Sequence, residues 1–404
     1  YYKMRLDEKN KQSQFVKERH EHELGLIYNV MNFPTLQWQG QISYHMIPSH
    51  IDSTILTKYT TFTSSYYQSF WKNFLVISSR YENNIGRENK KEYFFIEVSP
   101  GQGTHTWLDY NNNGIKELNE FVVAQFKDQA TYIKLHVPTK TYINVFSSSI
   151  AGDAVIDTRQ LNIKQAWVKG FQNRIAIQTS NKTTSVEQCK HYIPWSTLDS
   201  NVLYYSSRFR EIASYKTTNG KWYVQYQFLQ ARSRQNYTYG IEDQQSWQHD
   251  LSVTWFFFKS FMLENSLTIK QKNYQSEAAP MNNYQTTTRG TFSRFSYQQK
   301  SAWRISLAFS YDQTQNALDS LQILKNAITL EHKHSLKSHG ILSLKFSYIN
   351  YRYNKELLNS YMEYLLLEGL KKGNNFTWEL MLTRRLENNI EISFMYNGRA
   401  LPHE

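Results

Sequence analysis

Residues 109 to 120 read Asp-Tyr-Asn-Asn-Asn-Gly-Ile-Lys-Glu-Leu-Asn-Glu, and their oxygen-bearing groups recur at the spacing that wraps a calcium ion in an EF-hand loop. Asp109, Asn111, Asn113 and Glu117 occupy positions 1, 3, 5 and 9. Ile115 offers a backbone carbonyl at position 7, and Glu120 closes the loop at position 12 as a carboxylate able to use both oxygens. Gly114 falls at position 6, where the chain needs a positive φ. Calcium takes roughly six to eight hard oxygen ligands, which this set supplies with little help from water. The competing reading is an Asn-rich turn that binds nothing, since Asn and Gly favour turns anyway. The simultaneous match, terminal Glu included, favours the ion. The flanks depart from a paired EF-hand: Trp107-Leu108 reads as extended, and only Glu117 to Gln125 could begin a helix. A lone loop of this kind is expected to pin a folded insert with a structural Ca2+.

Other chemistry is thin. His20 with His22, and His332 with His334, have i, i+2 spacing, which puts each pair on one face of a strand. Zinc needs more ligands than two, so these rings are expected to be solvated or to face a polar lumen. Pro100-Gly-Gln-Gly103 is a turn, because neither a Gly-Lys-Ser/Thr sequence nor a helix follows. No Ser/His/Asp arrangement has a local signature, and paired carboxylates are sparse in the second half. The expectation is a chain with no catalytic residues and no organic cofactor. The single cysteine, Cys189, excludes an intrachain disulfide framework and a cysteine-rich metal site.

The elements that must position the loop are strands. From Leu203 to Tyr396, segments of about ten residues alternate apolar and polar side chains. Trp303, Ile305, Leu307, Phe309 and Tyr311 oppose Arg304, Ser306 and Ser310, and Leu342, Leu344, Phe346 and Tyr348 oppose Ser343, Lys345 and Ser347. No apolar helix is expected in this half. Short connections alternate with longer polar ones such as 273–283, 312–320 and 354–360, the asymmetry of a barrel with tight turns at one end and long loops at the other. Residues 1–98 read as the first barrel strands. Residues 99–200, with short broken strands, read as an extramembrane β-rich insert carrying the loop. Residues 201–404 read as about 11 further strands, the final strand of the barrel being absent. The fold class is therefore expected to be all-β, a transmembrane antiparallel up-and-down β-barrel.

Composition agrees. The chain of 404 residues is 40% hydrophobic and 16% aromatic, and no window approaches a transmembrane helix. Half of each barrel strand is polar by construction, so a hydrophilic average does not exclude a membrane protein. Aromatic residues suit both pleated surfaces and membrane interfaces. The net charge of +12 is scattered, without a Lys/Arg block or a recognition-helix signature, which excludes a nucleic-acid partner on the usual signals. The opening YYKMRLDEKN, without n-region or h-region, reads as a mature or internal portion of a longer protein.

Two stretches carry a resemblance. One runs Gly86-Arg-Glu88, Tyr93 to Val98, Gly101 to Gly114, Glu120-Phe121 and Ala130 to Ile133. The other comprises Leu366 to Leu370, Lys372 to Trp378 and Tyr396-Asn-Gly-Arg399. Together they resemble the C-terminal part of large outer-membrane β-barrel proteins of Bacteroidota. The resemblance implies a lipid bilayer around the strands, a bacterial outer-membrane location with the insert at the cell surface, and other outer-membrane proteins or lipoproteins as partners in a complex for export, assembly or display. A plugged or TonB-dependent-type transport barrel and a secreted calcium-stabilised β adhesin are the alternatives.

Overall fold

The computed structural model describes residues 2–11, 14–46, 58–161, 165, 168–184, 198, 201–258, 260–299, 303–336, 340–355, 360–386 and 390–402. Cys189 and most of the short turns expected from the sequence lie outside them. The described residues form nineteen strands, β1 (Tyr2–Lys11) to β19 (Glu391–Ala400), with one short helix, α1 (Ser360–Leu366). The fold is all-β, the antiparallel up-and-down arrangement of transmembrane barrels. No helix among the described residues is long and apolar enough to cross a membrane.

Two compact units divide the chain. One comprises Tyr1–Glu92, Val137–Ile212 and Leu229–Gln245. In it β2 (Gln14–Phe33), β3 (Leu36–Met46), β4 (Lys58–Phe70) and β5 (Leu75–Glu97) pair in chain order, and β8 (Tyr132–Asp157) pairs with β9 (Phe171–Thr183). Two long strands thus occupy much of the segment expected to be an insert. The short-stranded excursion narrows to 98–131, because the β-branched and aromatic runs on either side of Ser147-Ser-Ser149 continue one strand through the serines.

The other unit comprises Tyr93–His136, Ala213–Phe228 and Ser246–Glu404. Here β13 (Phe261–Ser276), β14 (Tyr284–Gln299), β15 (Trp303–Asn316), β16 (Gln322–Leu336), β17 (Gly340–Tyr353), β18 (Gly373–Arg385) and β19 pair successively and antiparallel. Their registers line up into rows. Leu263, Phe295, Leu307, Leu330, Phe346 and Trp378 are consecutive partners on one face. One residue away, Glu264, Arg294, Ala308, Thr329, Ser347, Thr377 and Arg399 are partners on the other.

Burial is inverted relative to a soluble sheet. Phe309, Leu330, Phe346 and Phe376 are exposed, while Ser296, Ser306 and Ser347 on the polar face are buried, with Ser296 Oγ donating to Ser306 Oγ at 2.8 Å. Burying each such apolar side chain is worth about 1.5–3 kcal/mol, so a soluble chain that exposed a whole row would forgo much of its stability. Strands of 14 to 16 residues exceed the roughly nine to eleven that cross a bilayer. Ion pairs populate the polar face, with Arg294 at 3.5 Å from Glu264 and Lys333 at 2.9 Å from Glu331. At the short-turn end the aromatics gather into a belt: Trp222 stacks on Trp255 at 5.3 Å, and Phe257, Phe261, Phe295, Tyr297 and Trp303 form a chain of ring contacts. His332 and His334 stack at 6.2 Å, with His332 beside Trp303. They share the face of Ile328 and Leu330, so this pair lies at the edge of the apolar row and not on the polar face.

The second half also carries one short helix, α1, which the strand pattern did not anticipate. At seven residues it is far too short to persist alone. It survives because the chain leaving it, Leu367 and Leu370, packs with Leu321, Ile323 and Tyr351.

Cross-strand aromatics cover glycines in both units. Gly398 pairs with Trp378, and a Cβ there would sit 2.4 Å from the indole nitrogen; Gly40 pairs with Tyr28 in the same relation. Gly398→Val should displace Trp378 and destabilise the β18–β19 hairpin by about 1–3 kcal/mol, read as a lower denaturation midpoint together with a shifted tryptophan emission.

Candidate metal loop and the insert that carries it

The predicted loop sits at the tip of a hairpin. β6 (His105–Trp107) pairs with β7 (Phe121–Val123), from His105↔Val123 to Trp107↔Phe121, and the Leu108 N–H donates to the Glu120 carbonyl at 2.9 Å. Loop positions 1 and 12 are therefore brought together by a strand pair, where an EF-hand uses two helices. After the loop the chain makes only a 3-10 turn at Leu118–Glu120 before β7, because Phe121-Val-Val is a strand-forming run. Phe121 stacks on Phe95 at 4.1 Å and meets Tyr132 edge-on at 4.9 Å, which anchors the hairpin to the ends of β5 and β8.

Within the tip the side-chain oxygens of Asp109, Asn111, Asn113 and Glu117 each have a named donor. Asp109 accepts from the Asn113 N–H at 3.2 Å and from the Gly114 N–H at 2.8 Å. Asn111 Oδ1 accepts from the Asn113 N–H at 3.0 Å, and its amide donates to Glu117 Oε2 at 2.9 Å. Asn113 Oδ1 accepts from the Ile115 N–H at 2.6 Å. Left-handed backbone at Asn112 (φ 56°) and Gly114 (φ 72°) makes the reversal, which is the physical demand that glycine at position 6 answers. The Ile115 side chain points outward, 64% exposed, so its contribution to the loop is its carbonyl.

Glu120 differs from the rest: it is fully buried. Its Oε2 accepts from Trp107 Nε1 at 2.8 Å and from the Glu117 N–H at 3.3 Å, whereas its Oε1 has no hydrogen-bond partner. A buried acceptor left unmet costs about 1–3 kcal/mol, and more when it carries charge. The loop's one basic residue does not offset it. Lys116 reaches away to Glu97 at 2.8 Å and lies 5.2 Å from the Tyr132 ring. Burial, followed by the charges of Glu117 and Glu120, pushes the Tyr110 phenol above its ordinary pKa. Among the described residues no three His, Cys, Asp or Glu side chains gather closely enough to hold a metal ion, and the loop's three carboxylates remain on separate donors.

The insert is clamped onto neighbouring elements of its unit. Asn282, in the β13–β14 loop, donates to the Asn119 carbonyl at 3.1 Å. The Tyr364 hydroxyl on α1 accepts from the Gln125 N–H at 2.8 Å and donates to Gln129 Oε1 at 2.5 Å. Arg399 on β19 forks onto both oxygens of Asp128 at 2.7 and 2.8 Å, with its guanidinium 4.3 Å from the Phe126 ring. The hydrogen bonds from Arg399 hold the Asp128 carboxyl below the usual range. Of these partners, Trp107 adjoins the motif, and Arg399 lies in the Tyr396-Asn-Gly-Arg399 stretch that carries the resemblance; no local signal pairs Tyr364 or Asn282 with the insert.

Comparison with known proteins gives no matching family model and no matching curated protein. Among solved structures the chain is similar to OmpT (in-vitro folded), an outer membrane protein of Vibrio cholerae, at 7% identity and a TM-score of 0.34, covering 98% of this chain and 94% of that one. It is similar to Salmonella typhi OmpF, solved with daunomycin, at 7% identity and a TM-score of 0.31, covering 98% and 95%. It is also similar to the P pilus usher (PapC) translocation pore, at 8% identity and a TM-score of 0.18, covering 96% of each chain. At these scores the fold assignment rests on the strand registers and the inverted burial described above.

Proposed function

We propose that this chain is an outer-membrane β-barrel subunit or scaffold of a multi-protein complex for export, assembly or surface display, with no catalytic role. The observation that carries this reading is the inverted sheet combined with a clamped insert. Apolar rows face outward in register, and residues 121–131 pack with α1 and β19 at the long-loop end. In outer-membrane barrels the long loops are extracellular, so the insert is assigned to the cell surface, where other outer-membrane proteins or lipoproteins would meet it. The motif resemblance supports placing the chain within a larger Bacteroidota protein.

The same packing also suits a plugged transport barrel, since Leu367 and Leu370 fill space against the polar-face residues Ile323 and Tyr351. The secreted adhesin fits poorly, because its apolar rows would stand in water. Purification of the full-length protein from outer membranes in mild detergent tests the proposal. A heat-modifiable barrel that co-purifies with a stoichiometric partner is expected. A monodisperse soluble protein without detergent would overturn the membrane reading, and a partner-free barrel that conducts would overturn the scaffold in favour of transport.

A further inference from the structure

We infer that the hairpin tip 109–120 is a calcium site in which the buried, unpartnered Glu120 Oε1 is the anchoring ligand. Its companions are Asp109, Asn111, Asn113 and Glu117 through side-chain oxygens and Ile115 through its carbonyl.

Three separate observations converge on a cation. The first is Glu120 itself: its Oε1 has no donor, and the residue is fully buried against a loop that also holds Glu117. The second is charge. Residues 109–120 carry three carboxylates against one lysine in a chain whose net charge is +12, and that lysine turns out of the loop to Glu97. The third is the donor set. It consists entirely of oxygens, with amide and carbonyl groups outnumbered by no soft ligand, which suits Ca2+ and disfavours zinc or copper.

The strand pair explains how one loop works without a second. Trp107↔Phe121 pairing and the Leu108–Glu120 hydrogen bond fix the distance between loop positions 1 and 12, the task a helix pair performs in an EF-hand. The tip's hydrogen bonds leave acceptor capacity on the Asp109, Asn111 and Asn113 oxygens, because each carboxylate or amide oxygen has more than one lone-pair site. Calcium draws Glu117 and Glu120 Oε1 toward these oxygens, and the hairpin becomes a cross-linked base for the clamp onto α1 and β19. An affinity in the range of extracellular modules, on the order of 0.1–1 mM, is expected for a single exposed loop.

The site has a built-in reporter, because Trp107 Nε1 donates to Glu120 Oε2 at 2.8 Å. In detergent-purified full chain, terbium should show emission sensitised through tryptophan that millimolar calcium displaces and equal magnesium does not. Trp107→Phe should remove most of that emission while leaving calcium binding by calorimetry in place. Glu120→Gln keeps the shape of the side chain and its Trp107 contact, and should weaken calcium at least about ten-fold, as should Asp109→Asn. An unchanged β-sheet circular dichroism spectrum in these variants separates loss of the ligand from loss of the fold. No saturable response of the wild type at millimolar calcium overturns the inference. So does calcium binding unaffected by both Glu120→Gln and Asp109→Asn, or a magnesium response equal to that of calcium.

Discussion

Phe346→Arg is expected to cost about 2–4 kcal/mol of barrel stability in a bilayer, enough to cut the folded fraction in lipid vesicles severely. Phe346 is exposed on β17, and its cross-strand partners are Leu330 and Trp378, within a row that continues through Leu307 and Phe295. An arginine at the middle of that row must hold its charge among acyl chains or drag water to it. The sharp control is Lys345→Arg. Lys345 is one residue away on the opposite face, in register with Glu331 and Glu379, and an arginine there keeps a cation in a polar row. The two variants put the same side chain on adjacent residues, so a large difference between them measures which medium each face meets. Folding into vesicles followed by heat-modifiability on gels reads the result. If Phe346→Arg folds as well as Lys345→Arg, or improves yield without detergent, the apolar row faces water or protein and the membrane assignment fails.

What could be read in the sequence follows from the physics of each element. The alternation of Trp303 to Tyr311 and of Leu342 to Tyr348 is a local, period-2 signal, and the structure places both rows as read, with Ile305, Leu307, Phe309 and Tyr311 all outward. Leu36–Met46 emerges as one strand with its mates on either side. The reversal at 109–120 was also legible, because a glycine at the position that needs positive φ, as Gly114 has, is a property of one short segment. Three features were not. The strands β8 and β9 hide inside an irregular stretch because serines interrupt the apolar pattern while cross-strand hydrogen bonds continue through them. The helix α1 carries no helical periodicity long enough to register, and its stability comes from partners 40 or more residues away in the chain, such as Leu321 and Ile323. The Arg399–Asp128 fork joins residues 271 apart, a relation that no local pattern in either segment reveals. The i, i+2 spacing of His332 and His334 tells only that two rings share a face. Which face depends on register with Ile305 and Leu344.

Leu367→Ala should release the α1 segment and loosen the insert while leaving the strands paired. Leu367 is fully buried, and it packs with Leu321, Ile323, Tyr351 and Leu370, with Phe126 of the insert against the same cluster. Truncating a buried leucine to alanine costs about 2–5 kcal/mol, more than a seven-residue helix can supply on its own. The adjacent ion pair cannot compensate. Glu368 accepts from Lys325 Nζ at 2.7 Å and from Tyr351 OH at 3.3 Å, but its side chain remains 60% exposed, so the pair is screened and contributes little. Its pH dependence is nonetheless diagnostic. Partial burial works to raise the Glu368 pKa, yet the Lys325 charge and the two hydrogen bonds outweigh it and leave the carboxyl below its ordinary value. A carboxylate depressed in the folded state stabilises fully above its unfolded pKa, and that contribution disappears as pH falls through the lower folded value. The Asp128–Arg399 fork obeys the same sign. Hydrogen exchange of the wild type should therefore show 121–131 and 360–372 opening together under acid, ahead of β14 to β17. In Leu367→Ala the same two segments should open already at neutral pH, with exchange faster by a factor on the order of 30 or more. Opening of 360–372 alone, with 121–131 still protected, would mean that Arg399 and Tyr364 hold the insert without the leucine cluster. Uniform acceleration across the strands would place Leu367 in the stability of the whole sheet instead of in a local lock.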